Sequence, residues 1–325
     1  MAYIKMKIGE FYGQKIYQIL LSNGYNMKEA QKLCDKGRLI DSFDMVLNKN
    51  SIANGEIFLI DYECKPVGLE PIFESDEFGV FDKPSGVLTH PNGRNCSYSL
   101  CDEIWSLWGK NASIAHRLDK ETSGVIVVGK SIETTKKLKS MFENREVFKS
   151  YLALVNGKVE VDKFDKFKLK NYIDFMNKLD FIDSDNWLII DKAMDLTKDY
   201  NDIKIRMQIC DNGKRAITLF RPIKFDYKRN LTLVECIPLT GRQHQIRLHM
   251  FYVKHKILGD PIYGLERRDI ERILDGKMSE NERIDKTGAN RLMLHSNRLK
   301  FNYNGAKFDI SSKMEFGLSP FAQMD

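Results

Sequence analysis

The residues with the most chemical potential lie in the run His116-Arg117-Leu118-Asp119-Lys120-Glu121-Thr122-Ser123-Gly124, directly before the apolar stretch Val125–Val128. Polar groups crowd a turn that leads into a buried strand. A carboxylate on such a turn is held by a rigid neighbour, which suits a catalytic group. The same residues also fit a surface turn with a solvated Arg117–Asp119 pair. Spacing alone favours that plainer reading, because exposed ion pairs are common and contribute little.

A second run is Thr240-Gly241-Arg242-Gln243-His244-Gln245-Ile246-Arg247-Leu248-His249. Thr240 is expected to cap a helix in which Ile246, Met250 and Val253 share one face. Gln243 and Arg247, four residues apart, then lie together on another side. Backbone amides at the helix start, with Arg242 and Arg247, could hold phosphates; the alternative is an ordinary polar helix face. His244 and His249 are five residues apart and point to different sides, and no nearby acid or cysteine completes a metal site. In a third run, Lys149-Ser150-Tyr151-Leu152-Ala153-Leu154-Val155, Tyr151 opens an apolar strand. Its ring either packs, as most do, or stacks on a nucleobase.

Asp82-Lys83-Pro84-Ser85-Gly86, Gly259-Asp260-Pro261-Ile262-Tyr263-Gly264 and Leu294-His295 read first as turns or strand ends. There is no Walker-type loop, no G-x-G-x-x-G and no G-x-S-x-G elbow, so no nucleotide cofactor and no such hydrolase is expected.

These runs need elements to hold them. Beyond Pro71 the chain is strand-rich: Phe78–Phe81, Gly124–Gly129, Tyr151–Val155, Ile203–Ile209, Ala216–Phe220 and Leu231–Ile237 are short β-prone runs bounded by turn residues. A helix is expected over Ile132–Phe142 after a Ser131 cap. This pattern predicts an α+β fold with a large, mostly antiparallel sheet and flanking helices. Residues 1–65 read as a small separate α+β module, with Ile16, Ile19 and Leu20 at helical spacing, a helix over Met27–Lys36 and a strand over Ile57–Ile60. Pro66, Gly68 and Pro71 read as a linker, and residues 66–325 as the main domain. Residues 160–186, rich in Lys, Asp and Phe, fit neither period and look like an insertion.

The chain of 325 residues is 42% hydrophobic, enough for a large core, and its net charge of +6 is compatible with a polyanionic partner without requiring one. Residues 110–150 carry a net of +4, with Lys136, Lys137 and Lys139 clustered; the bland reading is a solvated helix face. The six cysteines form no C-x-x-C pair, which fits free thiols in a reducing compartment. No leader and no apolar run near the ~20 residues of a membrane span is visible, so a cytoplasmic protein is expected.

Taken together, HRLDKETSG, KSYLALV, TGRQHQIRLHM, GDPIYG and RLMLHS, with the opening VFDKPSGVLTHP, resemble the RluA-type pseudouridine synthase family in order and spacing over roughly residues 70–310. The resemblance implies a curved, mainly antiparallel sheet crossed by a cleft, and an enzyme that isomerises uridine in RNA without a cofactor or metal. It implies that Asp119 is the essential carboxylate, Arg247 the basic residue paired with it, and Tyr151 the aromatic that contacts the flipped base. Arg117 would displace the target base and fill its place, and Ile246 would pack beside the uracil. His116, Arg242 and Lys149 join them as substrate-binding residues. Arg247 would keep Asp119 charged, and Asp119 would either attack the sugar or remove a sugar proton. Gln243 stands where the family more often has threonine.

The N-terminal module resembles the alpha-L RNA-binding motif over Asn26–Arg38, although its net charge is only +1 and the usual basic strand with Asn-Gly is missing. The implied partner is RNA, ribosomal more than transfer RNA, for a monomeric protein with no membrane contact. Two rivals are an RNA-binding or ribosome-assembly protein with a silent site, and a glycoside hydrolase. The intact Asp119, Tyr151 and Arg247 oppose the first; the lack of a second paired acid opposes the other.

Overall fold

A computed structural model describes residues 3–91, 96–172, 175, 181–182, 186–197 and 203–316. The chain divides into two compact units, Met1–Val67 with His90–Ser106, and Gly68–Thr89 with Leu107–Asp325.

In the first unit, β1 (Tyr3–Lys15) runs antiparallel to β3 (Ile52–Tyr62), whose other edge takes β2 (Leu39–Asp41). Helices α1 (Ile16–Ser22) and α2 (Met27–Asp35) bury Ile16, Ile19, Leu20 and Ala30 with Leu39 and Ile57. Asn26 and Glu29 cap α2 reciprocally, each side chain accepting the other's backbone N–H at 3.0 Å. The long strand β1 was not legible as one, because most of its side chains are exposed and apolar alternation is weak. Helix α3 (Leu100–Trp108) carries two buried acids near its start. Asp102 accepts the Tyr62 hydroxyl, the Ser99 N–H at 2.8 Å and the Lys65 N–H at 2.9 Å, while Glu103 accepts the Val67 N–H at 2.6 Å.

The second unit is built on ten strands: β4 (Phe73–Glu74), β5 (Phe78–Lys83), β6 (Ser113–Ile114), β7 (Ser123–Gly129), β8 (Phe148–Asn156), β9 (Leu188–Asp191), β12 (Ile217–Asp226), β13 (Leu231–Pro238), β14 (Leu294–Tyr303) and β15 (Ala306–Ser311). Their order is β4-β5-β7-β14-β8-β13-β12-β9, with β15 on β14 and β6 on β7. A separate pair joins β10 (Met194–Leu196) to β11 (Met207–Ile209). Every pairing is antiparallel except β7 with β14. All seven residues of β7 are buried, as its continuous apolar run demands. Gly124 allows the parallel contact: its φ is +107°, and a Cβ there would lie 2.1 Å from the Ser296 carbonyl oxygen.

Helix α4 (Ile132–Glu143) begins where Ser131 accepts the Thr134 N–H at 3.1 Å, as the sequence predicts. Helices α5 (Gln245–Tyr252), α6 (Arg267–Leu274) and α7 (Glu280–Thr287) follow β13. Two expectations are corrected. The strand predicted over Ile203–Ile209 shrinks to Met207–Ile209, because residues 204–205 turn. Helix α5 starts at Gln245, not after Thr240, because Thr240 is already committed: its hydroxyl accepts the Ile217 N–H at 2.9 Å and donates to Gln245 Oε1 at 2.6 Å. Gln243 therefore lies off the helix, and Arg247 does not share a helical face with it. Within 160–186, Phe167 and Phe175 are buried in one core with Phe148, Trp187, Ile217 and Leu219. Residues 173–174, 176–180 and 183–185 of that stretch lie outside the described residues.

Candidate active site

Asp119 sits in the turn between β6 and β7, and its loop is clamped from both sides. On one side the β5 turn supplies donors: Thr89 Oγ1 to the Leu118 carbonyl at 2.8 Å, Lys83 Nζ and the Gly86 N–H to the Lys120 carbonyl at 2.9 and 3.0 Å, and Ser85 Oγ to the Glu121 carbonyl at 2.6 Å. Lys83 also donates to the Pro84 and Val87 carbonyls at 3.0 and 2.8 Å. Burial pulls its ammonium down to about 7, against the charges of Asp119 and Glu121. On the other side Glu121 pairs with Arg283 and accepts the Leu292 N–H at 3.2 Å, and Ser123 Oγ is 2.9 Å from His295 Nδ1. The DKPSG turn and the RLMLHS segment that leads into β14 thus fix a loop far from them in sequence.

The Asp119 side chain is 30% exposed; the Arg247 side chain beside it is 3% exposed. Arg247 Nη1 donates to Asp119 Oδ2 at 3.0 Å. Its other edge donates from Nε and Nη2 to both oxygens of buried Asp260, at 2.8 and 2.9 Å. Asp260 Oδ1 also accepts the Ile262 and Tyr263 N–H groups at 2.8 and 2.9 Å. Burial works against both charges, but the pairing wins: Arg247 is pushed above the ordinary arginine value and Asp260 held below the ordinary carboxylate value. A guanidinium is thus fixed edge-on by one carboxylate and presented to another. Helix α5 can carry it inward because its buried residues surround it, including Ile246 at 6% exposure and Met250.

Tyr151, on β8, is 8% exposed. Burial raises its hydroxyl, a Ser296 hydrogen bond opposes this, and the charge of Asp119 adds to it, so the phenol lies within the field of the carboxylate. Two residues earlier, the Lys149 side chain makes no hydrogen bond or ion pair with any described residue, and burial pulls it down to about 8. A side chain at Gly241 would come within 3.6 Å of its Nζ, which places this unpaired ammonium over the 240–244 loop. His116 turns inward: its ring stacks on Phe142 at 4.2 Å and its Nε2 accepts the Val127 N–H at 3.2 Å. Burial, then the Lys149 charge, lowers it to about 3, so it is neutral. Arg117 is exposed, and Arg242 Nε donates to the Arg215 carbonyl at 3.2 Å. His249 bonds Thr218 Oγ1 and the Lys192 carbonyl at 2.9 and 3.1 Å, away from His244. Among the described residues no group of three or more His, Cys, Asp and Glu is gathered to hold a metal.

Residues 77–251 match the family model described as RNA pseudouridylate synthase. An RNA pseudouridine synthase of Helicobacter pylori is 37% identical, aligned over 91% of this chain and 90% of that protein. The chain belongs to the RNA pseudouridylate synthase family. The synthase is also 32% identical to the ribosomal large subunit pseudouridine synthase D of Nitrosomonas europaea, over 62% of this chain and 52% of that one. It is 31% identical to the tRNA pseudouridine(31) synthase of Saccharomyces cerevisiae, over 64% and 49%. Among solved structures, human RNA pseudouridylate synthase domain containing 1 shares the fold, with a TM-score of 0.56 over 78% of this chain and 88% of that one at 21% identity. The synthase is an RNA-modifying isomerase of α+β fold with a large, mainly antiparallel sheet. Asp260, Lys83, Tyr263 and His244 are the site residues that sequence reasoning left unassigned. Asp260, Lys83 and Tyr263 stood in motifs that read locally as turns, and His244 was weighed only as half of a metal pair.

Proposed function

We propose that the synthase acts on large-subunit ribosomal RNA, and that Asp119 is the carboxylate that reacts with the ribose of an extruded uridine. The observation that carries this reading is the Arg247 guanidinium spanning buried Asp260 and the partly exposed Asp119. Such a carboxylate is oriented by a fixed partner and left partly open to substrate. Isomerisation breaks the N-glycosidic bond, turns the uracil and rejoins it through carbon 5; it consumes no electrons. A stacked uridine is out of reach, so the base must leave the helix at a cost of a few kcal/mol. Stacking on Tyr151 returns about 1–3 kcal/mol of that. Ile246 packs beside the uracil, exposed Arg117 fills the vacated place, and Lys149 with Arg242 meets the flanking phosphates. His116 serves this surface by accepting the Val127 N–H of β7 and lying beside Lys149.

The ribosomal preference draws support from the likeness to the Nitrosomonas enzyme and from the α1–α2 segment's likeness to the alpha-L motif; the yeast transfer-RNA enzyme is the counterweight. The six free cysteines fit a cytoplasmic location. The test is pseudouridine mapping across total RNA from cells with the wild-type gene, without it, and with Asp119→Asn alone. A ribosomal site lost in both altered strains supports the proposal. Loss only at transfer-RNA positions overturns the substrate, and a full complement of pseudouridine with D119N overturns the carboxylate.

A further inference from the structure

His244 precedes α5 in left-handed backbone, at φ 55° and ψ 18°, and its side chain makes no capping bond. The residue is 8% exposed. Its ring stands edge-on to Tyr263, at 5.9 Å and 88°. Nδ1 is 3.2 Å from the Tyr263 hydroxyl, and Nε2 is 3.8 Å from Asp119 Oδ2.

The Tyr263 hydroxyl favours one tautomer. Tyr263 Oη already accepts the Met207 N–H at 3.2 Å, so its own proton is free to go to His244 Nδ1. A ring that accepts at Nδ1 carries its single proton on Nε2, the nitrogen that faces Asp119. The charged groups around the ring are Arg247, Asp119 and Asp260, with the Tyr263 phenol as the other titratable neighbour. Burial, then Arg247, pulls the imidazole down to about 4 against the two carboxylates, so it stays neutral through the working range.

We propose that His244 is a positioning residue for the reaction: a neutral imidazole, locked by Tyr263, whose Nε2–H is aimed at the same Asp119 oxygen that Arg247 holds. Both donors converge on Oδ2, at 3.0 Å from Arg247 and 3.8 Å from His244. Oδ1 is then the oxygen left to react with the sugar. The longer distance closes when substrate fills the site, as catalytic hydrogen bonds commonly do. This inference rests on the reading of Asp119 as the reacting carboxylate. It also gives a purpose to the left-handed backbone, which brings an imidazole to a carboxylate from the residue before a helix.

The test has two arms. In the first, kcat and KM on a defined RNA stem-loop are measured for His244→Phe, His244→Gln and Tyr263→Phe, beside D119N. All substitutes at position 244 keep a Cβ, so the backbone strain is shared. Phe is expected to lower kcat about 100-fold with little change in KM, and Gln, whose amide can still donate, to recover most of the loss. Tyr263→Phe is expected to fall between them. The second arm reads the 15N shifts of His244 in the wild-type protein, which need no variant to fold. A neutral Nε2–H ring at pH 7 supports the proposal. An Nδ1–H or charged ring overturns it, as does wild-type kcat in H244F or an equal loss in H244F and H244Q. An active D119N would sink the Asp119 reading itself, a failure distinct from a wrong tautomer.

Discussion

At the scale of residues, the site is a chain of charges in which each member is held by the one behind it. Asp260 holds Arg247, and Arg247 holds Asp119. Replacing Asp119 by Asn keeps the shape and the hydrogen-bond partner but removes the carboxylate proposed to react. A loss of turnover on the order of 10⁴-fold is expected, with RNA affinity little changed; a filter-binding assay beside a product assay would separate the two. Asp260→Ala instead leaves a buried guanidinium with one partner and is expected to cost about 3–5 kcal/mol of stability. The pH dependence follows from the sign. Asp260 is held below its unfolded value of about 3.9, so its contribution is present above that value and lost as pH falls through the lower, folded one. Urea melts between pH 7 and pH 3 should therefore show wild type losing its advantage over D260A in acid; a constant gap would contradict the pairing.

Lys149 gives a second pH dependence, of opposite sense. Its ammonium is pulled down to about 8 by burial, and a phosphate contact needs the proton. If Lys149 meets phosphate as proposed, RNA binding is strongest below that value and weakens as pH rises from 7 to 9. In Lys149→Met this part of the dependence is expected to vanish, while Lys83, which also titrates near neutrality, is present in both proteins and cancels in the comparison. Anisotropy titrations at pH 7, 8 and 9 measure it, and identical slopes for the two proteins would remove Lys149 from the RNA surface. Among the lysines of α4, Lys137 is engaged within the protein, with its Nζ 4.8 Å above the Tyr303 ring.

At the scale of elements, the Asp119 loop owes its rigidity to neighbours more than to itself. Lys83 offers three donors to three carbonyls, one of them in the Asp119 loop. Lys83→Met strips all three and is expected to cost about 1–3 kcal/mol. It should also lower kcat more than it raises KM, because the loop loosens around a carboxylate that must be placed within about 0.5 Å. Hydrogen exchange at the Gly86 amide, which donates to the same Lys120 carbonyl, reports that loosening; unchanged protection would refute the clamp. What was legible in the sequence follows the same division. The Val125–Val128 run and the Ser131 cap are local signals, and β7 and α4 appear where those residues predict them. The Thr240 cap was misread because the competing Ile217 N–H lies on a strand more than twenty residues away. Asp119 and Arg247 are brought together across 128 positions by sheet order, which no window of sequence contains. Only the joint order of several motifs revealed that they belong together. Asp260 and His244 had no such local mark: one reads as a turn residue, the other as half of an unfinished metal pair.

At the scale of the whole molecule, the division into two units does not follow the chain. The first unit takes residues 1–67 and then His90–Ser106, a segment bounded on both sides by residues of the second unit. A cut at the Pro66–Pro71 stretch would therefore separate two parts of one compact unit. Within that unit the Tyr62 ring meets Trp105 edge-on at 5.4 Å, and its hydroxyl bonds Asp102. Removing residues 1–67 would leave buried Asp102 without the Tyr62 hydroxyl and the Lys65 N–H, and Glu103 without the Val67 N–H. Buried acceptors stripped of their donors cost roughly 1–3 kcal/mol each, more when charged. The truncated chain is expected to melt well below the full chain, or to be recovered insoluble, even though every residue of the Asp119–Arg247–Asp260 chain is retained. Asp102→Asn in the full chain should reproduce part of the loss, because it weakens the same set of bonds without deleting any of the chain. Scanning calorimetry of the two proteins against wild type decides the matter. A truncation with an unaltered melting temperature would mean that His90–Ser106 folds without the N-terminal strands, and that residues 1–67 are a detachable accessory after all.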